Sequence, residues 1–150
     1  MSRKVRIALA QIKYFDISKR NNVEKIKKYI RLAKKAKADI ICFPESCVHK
    51  TDLLHFDHKL IKEIREECKK NSIWCILTED LRMNKLLGIR KKEYNVAMLI
   101  DRNGNIKGHY KKIHIYGDTT NAGKKVYVFK TDFAKIGIVI CWDIAFPELF

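Results

Sequence analysis

Apolar and polar positions fall along this chain in blocks, and the blocks predict layered α and β elements. Val5 to Lys13 is an apolar run consistent with a buried strand. From Asn22 to about Lys37, Val23, Ile26, Ile30, Leu32, Ala33 and Ala36 recur at roughly helical spacing with lysines opposite, and Asn22 is placed to cap the helix. Ala38 to Phe43 reads as a second buried strand, ended by Pro44. His58 to Lys70 reads as an amphipathic helix with Leu60, Ile61, Ile64 and Cys68 inward, and Ile73 to Thr78 as a third strand. Met83 to Lys92 is a basic loop. Tyr94 to Ile100 and Ile106 to Ile113 pair as a hairpin around Arg102-Asn103-Gly104-Asn105, where Gly104 can take a positive φ. Gly117 to Gly123 is a loop, Lys125 to Phe129 and Lys135 to Ile140 form another strand pair, and Phe146-Pro147-Glu148 starts a helix with Pro147 in its first turn. Strands alternating with helices, then hairpins, predict one α/β domain over residues 1–150. There is no internal repeat, low-complexity tract or linker.

Composition narrows the class. With 150 residues, 47% hydrophobic and 33% charged, the chain is long enough to bury a sizeable core. Its formal charge of +15 raises nucleic acid as a partner. The basic pairs argue against that. Lys27-Lys28, Lys34-Lys35, Lys69-Lys70, Lys91-Lys92, Lys111-Lys112 and Lys124-Lys125 are spread along the sequence beside polar residues, as on a solvated surface. A nucleic-acid-binding domain is therefore the least favoured reading. No apolar run approaches the ~20 residues that span a bilayer, so no membrane association is expected. The basic N-terminus is not followed by a long apolar stretch, which argues against a signal peptide. An odd count of 5 Cys without a secretory segment favours reduced thiols and a cytoplasmic location.

Candidate chemistry lies in three phrases. Glu45 ends Ile40-Ile41-Cys42-Phe43-Pro44-Glu45, Lys112 closes Gly108-His109-Tyr110-Lys111-Lys112, and Cys141 opens Cys141-Trp142-Asp143-Ile144-Ala145-Phe146-Pro147-Glu148 after an Ile/Val run. Taken singly, Glu45 is a solvated acid after a strand, Cys141 an inert core cysteine and Lys112 one lysine among many. Taken together, a carboxylate, an ammonium and a thiol at strand ends are the parts needed to attack a carbonyl or nitrile carbon.

The three phrases, in this order and with Tyr94-Asn95-Val96-Ala97 and the Asn103-Gly104 hairpin between them, resemble the nitrilase or carbon–nitrogen hydrolase superfamily. The resemblance runs from near Ile7 to the last residue. It implies an α-β-β-α sandwich, of which this chain would supply the first half, because family domains run to nearly twice this length. It implies Glu45 as general base, Lys112 as electrostatic stabiliser and Cys141 as nucleophile, with no metal and no cofactor. The substrate class is a small amide, carbamoylated amine or nitrile. The family's second acidic residue has no Glu counterpart between Lys112 and Cys141, and Asp118 is the nearest substitute. The expected partner is another copy of the chain or a complementing chain. The competing reading is a shortened, inactive relic or an interaction subunit.

The chemistry is consistent with those roles. A thiol with a pKa near 8.5 is mostly protonated at neutral pH, so Cys141 needs a base and a nearby cation. Lys112 with a backbone N–H near Trp142 can hold an oxyanion. The remaining candidates are weaker. Cys42, Cys47 and His49 form a conceivable metal cluster, but core packing of the cysteines is favoured. His55 and His58 read as an exposed pair, and Cys68 and Cys75 as core residues. His114 reads as loop support and Asp143 as ordering the turn after the nucleophile. Tyr94 and Asn95 are structural or pocket-wall residues, and Trp142 either lines the pocket or packs.

Overall fold

A five-stranded sheet in sequence order forms the frame. The computed structural model describes residues 4–12, 21–49, 54–83, 93–117 and 120–150. Strands β1 (Ile7–Leu9), β2 (Ile40–Cys42) and β3 (Trp74–Arg82) are parallel neighbours, joined through helices α1 (Val23–Lys35) and α2 (Lys59–Asn71). From β3 the chain turns into an antiparallel meander with β4 (Glu93–Ile100) and β5 (Ile106–Lys111). A separate two-stranded sheet, β6 (Val128–Lys130) and β7 (Lys135–Gly137), follows. Two 3₁₀ turns, Cys141–Ala145 and Pro147–Leu149, come last.

Strand alternation decides what each face of the main sheet does. One face carries Ile41, Cys75, Leu77, Leu81, Val96 and Met98. It packs on the inward stripes of the two helices, Val23, Ile26, Ile30 and Ala33 of α1 with Leu60, Ile61, Ile64 and Cys68 of α2. The other face carries Ile40, Trp74, Ala97, Leu99 and Tyr110. It packs on Ile138 and Ile140, with Phe129, Phe133 and Ile136 from the small sheet adjoining. The order is helix layer, main sheet, then a partial second sheet. This is the predicted α/β class, with the second sheet reduced to two short strands. Near β1 the second face stays open, with Ile7 59% and Leu9 79% exposed.

Several boundaries differ from the pattern, each for a physical reason. Asn22 does stand at the N-cap of α1, but its side chain makes no capping bond. Its Nδ2 donates to the Cys47 carbonyl, and the neighbouring Asn21 Oδ1 accepts from the Val23 N–H instead. Leu32 and Ala36 lie outside the buried stripe and are exposed. The ring of His58 caps α2 by accepting from the Leu60 N–H at 3.3 Å. Strand β3 runs four residues past Thr78, because β4 offers a ladder partner to each, Glu79 against Val96 and Asp80 against Asn95 among them. In the last strand pair, Ile138 and Ile140 are buried outside β7, while Lys125, Val126 and Tyr127 precede β6 in exposed positions. The helix expected from Phe146 is the short 3₁₀ turn beginning at Pro147. Residues 84–92 of the basic loop, and Lys13, lie outside the described residues.

The β4–β5 hairpin shows why its turn needs glycine. Gly104 has φ +77°, and a Cβ there would stand 2.7 Å from the Arg65 carbonyl oxygen. Arg65 Nε in turn donates to the Gly104 carbonyl at 2.7 Å, fastening the hairpin to α2.

Candidate active site

Three chain segments end at one place on the second face of the sheet. Glu45 follows β2, Lys112 follows β5, and Cys141 follows the buried Ile138–Ile140 stretch. Lys112 Nζ donates to Glu45 Oε1 at 2.8 Å. The lysine side chain is only 2% exposed and the glutamate 29%, so the pair is shielded on one side and open on the other. Glu45 and Cys141 line a common cavity of about 370 Å³, walled by Cys42, Phe43, Ile76, Thr78 and residues 137–140. The structure therefore brings together the carboxylate, the ammonium and the thiol.

The Cys141 backbone has φ +48°, a region that non-glycine residues rarely occupy. Such strain costs on the order of 1 kcal/mol and persists only where the surroundings impose it. They do so here through Asp143. This fully buried carboxylate accepts from the Ile140 N–H (3.1 Å), the His114 N–H (2.8 Å), the Ile113 N–H (3.3 Å) and the Tyr110 hydroxyl (2.7 Å). His114 Nδ1 stands 3.1 Å away, and the His114 ring stacks on Phe146. Burial pushes the Asp143 carboxyl up, but these donors outweigh it and hold the group below its ordinary value. One carboxylate thus ties the segment after Lys112 to the turn that carries Cys141.

Electrostatically the thiol is pulled both ways, and the net result is upward. Burial raises its pKa first, and the Glu45 carboxylate raises it further as hydrogen-bond partner and as charge. Lys112 and the Trp142 N–H lower it. The balance favours the thiol over the thiolate, beside the Glu45 carboxylate. Cys141 is the exposed cysteine; Cys47, Cys68 and Cys75 are buried and Cys42 is partly so, and all five are free. Burial pushes Cys42 up to about 11 and Cys47 higher still, and it holds Cys75 well above its ordinary value. The cysteines bracketing Glu45 are thus inert packing residues.

The other sequence candidates fall out differently. Trp142 is 42% exposed and packs against Tyr116 and Phe146. Its N–H, not its ring, acts on the sulfur. Tyr94 is not at this site. It alternates onto the helix-covered face, where its ring lies under Lys111 Nζ at 4.2 Å and lines a separate basic cavity of about 270 Å³. Its neighbour Asn95 takes the opposite face and donates to Asp80 Oδ1 at 2.8 Å. Asp118 lies outside the described residues. The sequence reading missed Ser46, Glu79 and Asp80, which fasten the segment after Glu45. Two acids between the apolar run Trp74–Leu77 and the apolar Leu81 were the available signal.

Comparison with known proteins gives the lineage. The family model for carbon-nitrogen hydrolases matches residues 6–150. A probable nitrilase of Schizosaccharomyces pombe is 28% identical across 97% of this chain and 58% of its own length. The N-carbamoylputrescine amidase of Arabidopsis thaliana is 43% identical across 37% of this chain and 21% of its own. Among solved structures, a variant of the amidase from Nesterenkonia sp. AN1 superposes with a TM-score of 0.78 at 18% identity. It covers 97% of this chain and 58% of that one, and carries the acetamide moiety of fluoroacetamide at its active-site cysteine. The chain thus spans a little over half the length of the Schizosaccharomyces pombe relative and of the solved amidase. By the extent of the family match, it belongs to the carbon-nitrogen hydrolase family.

Proposed function

We propose that this chain carries the catalytic residues of a thiol hydrolase that cleaves a non-peptide carbon–nitrogen bond in a small amide, carbamoylated amine or nitrile. The observation that carries the reading is the ion pair of Lys112 with Glu45, 2.8 Å long, beside a cavity that Cys141 shares. For an amide, Glu45 takes the Sγ proton as the sulfur attacks the carbonyl carbon and a C–S bond forms. The electron pair displaced onto oxygen is stabilised by the Lys112 ammonium and the Trp142 N–H. Collapse breaks the C–N bond, and protonated Glu45 returns the proton to the departing amine. Glu45 then takes a proton from water, which attacks the thioester, and the acid leaves as the thiol is restored. The raised thiol pKa supports general-base activation over a standing thiolate. The amidase adduct and the carbamoylputrescine relative support the substrate class by kinship.

On this reading, residues 1–150 form the first part of the family's sandwich, in a cytoplasmic protein. All five cysteines are free, and no described helix is long and apolar enough to cross a membrane. A second copy or a complementing chain covers exposed apolar side chains, among them Leu9, Ile144 and Phe150, each more than two-thirds exposed. Their exposure also favours the second reading, an interaction subunit active only when completed.

The test is acid-quenched mass spectrometry with a panel of short amides. An acyl group trapped on the Cys141 peptide, and no ammonia from Cys141→Ala, is the expected result. Removing Glu45 as base by Glu45→Gln should lower turnover by about 10²–10⁴-fold. Ammonia release that survives Cys141→Ala, or iodoacetamide that labels all five cysteines equally, contradicts the proposal.

A further inference from the structure

We infer that Glu79 is a positioning residue for the base: a buried carboxylate that fixes the turn carrying Glu45. The inference rests on the reading of Glu45 given above. Glu79 is 2% exposed and lies on the helix-covered face of β3, away from the cavity. Its Oε2 accepts from the Val48 N–H at 2.6 Å and the His49 N–H at 3.1 Å, and its Oε1 from the Asp80 N–H at 3.0 Å. The next residue alternates to the other face, where Asp80 Oδ2 accepts from the Ser46 hydroxyl at 3.1 Å. Two consecutive carboxylates on one strand therefore grip the same turn from both faces, immediately after Glu45.

Other bonds complete the clamp. The Cys47 N–H donates to the Thr78 carbonyl, the Cys47 carbonyl accepts from Asn22 Nδ2, and the Val48 carbonyl accepts from the Asn22 N–H. The turn needs fastening because Ser46 sits at φ +47°. The clamp also reaches Lys112. Asp80 Oδ1 accepts from Asn95 Nδ2, and the Asn95 carbonyl accepts from the Lys112 N–H. The bottom of β3 thus holds both members of the 2.8 Å ion pair in register. A carboxylate suits the role because it accepts three N–H bonds with no donor to misplace, whereas glutamine has one oxygen for three amides. Its ionised form is costly in this setting. Burial pushes the Glu79 carboxyl up to about 7, against the pull of the three N–H donors.

The experiment follows the pH dependence of Cys141 alkylation by iodoacetamide, resolved by peptide, in the full chain. Because Glu45 raises the thiol pKa, Glu45→Gln moves the midpoint to lower pH. If Glu79 sets the placement of Glu45, Glu79→Gln and Glu79→Leu move it the same way, by about half a unit or more. Added to Glu45→Gln, neither gives a further shift. A midpoint that moves with Glu45→Gln but stays put in both Glu79 variants overturns this inference and leaves the catalytic reading intact. A midpoint indifferent to Glu45→Gln defeats the catalytic reading and this inference with it. Should both Glu79 variants fail to fold, amide exchange in the unsubstituted chain decides. Val48 and His49 are expected to exchange at least about 100-fold slower than in an unstructured chain. Exchange at the unstructured rate overturns the clamp.

Discussion

At the scale of single residues, the site is a balance between groups that would each be unfavourable alone. Lys112 is almost wholly buried, and Glu45 supplies the opposite charge that makes this tolerable. Deleting Glu45 removes the opposite charge 2.8 Å from this buried ammonium, so Glu45→Ala should cost stability as well as turnover, by about 1–3 kcal/mol in urea unfolding. Glu79 is the converse case, a carboxyl whose burial raises its folded value from 4.5 to about 7. Such a group holds its proton more tightly folded than unfolded. Its contribution to stability is complete below about pH 4.5 and is lost as pH rises through 7. The unfolding free energy should therefore decline by about 3 kcal/mol from this source over that window, and Glu79→Gln should flatten the decline. Unfolding curves at pH 5 and 8 for both proteins check this. Glu45, Lys112 and Cys141 were legible in the sequence because each sits in a short phrase of distinctive order. Glu79 was not, since a charge after Thr78 reads as the end of a strand. Only the partner strand and the loop amides show that the strand continues. Tyr94 and Asn95 were read together because both belong to the Tyr94-Asn95-Val96-Ala97 phrase, yet adjacency in a strand sends their side chains to opposite faces.

At the scale of elements, each side chain of the proposed triad is aimed by the backbone where an element ends. The short β2 stops at Cys42, β5 stops at Lys111, and the Ile138–Ile140 stretch breaks into a 3₁₀ turn at Cys141. Asp143 links the last two. Tyr110→Phe removes one donor of this buried carboxylate while keeping the ring, and should cost about 1–3 kcal/mol, measured by denaturant unfolding. Gly104→Ala should cost a similar amount through its positive φ and the facing Arg65 carbonyl. It should leave the chemistry of Cys141 unchanged, since the hairpin tip is fastened to α2 on the other face of the sheet. The helices were readable because their buried stripes are wide and regular. The last strand pair was not, because Ile138 and Ile140 are buried by facing the main sheet and not by pairing in a ladder.

At the scale of the whole molecule, a strongly cationic chain also leaves several large apolar side chains exposed. Ile7 and Leu9 belong to a strand whose second face is exposed among the described residues, while Ile144 and Phe150 follow Cys141 in sequence and are exposed as well. Association through these side chains predicts a sedimenting mass above that of one chain at micromolar concentration. Ile7→Ser with Leu9→Ser should lower it toward a single chain without unfolding the core. The measurement that bears most directly on the central claim is the alkylation midpoint of Cys141 in two variants, Glu45→Gln and Lys112→Met. The carboxylate raises the thiol pKa and the ammonium lowers it, so the first substitution should move the midpoint to lower pH and the second to higher pH. Midpoints that move together, or that match the unsubstituted chain in both variants, would contradict a shared catalytic centre.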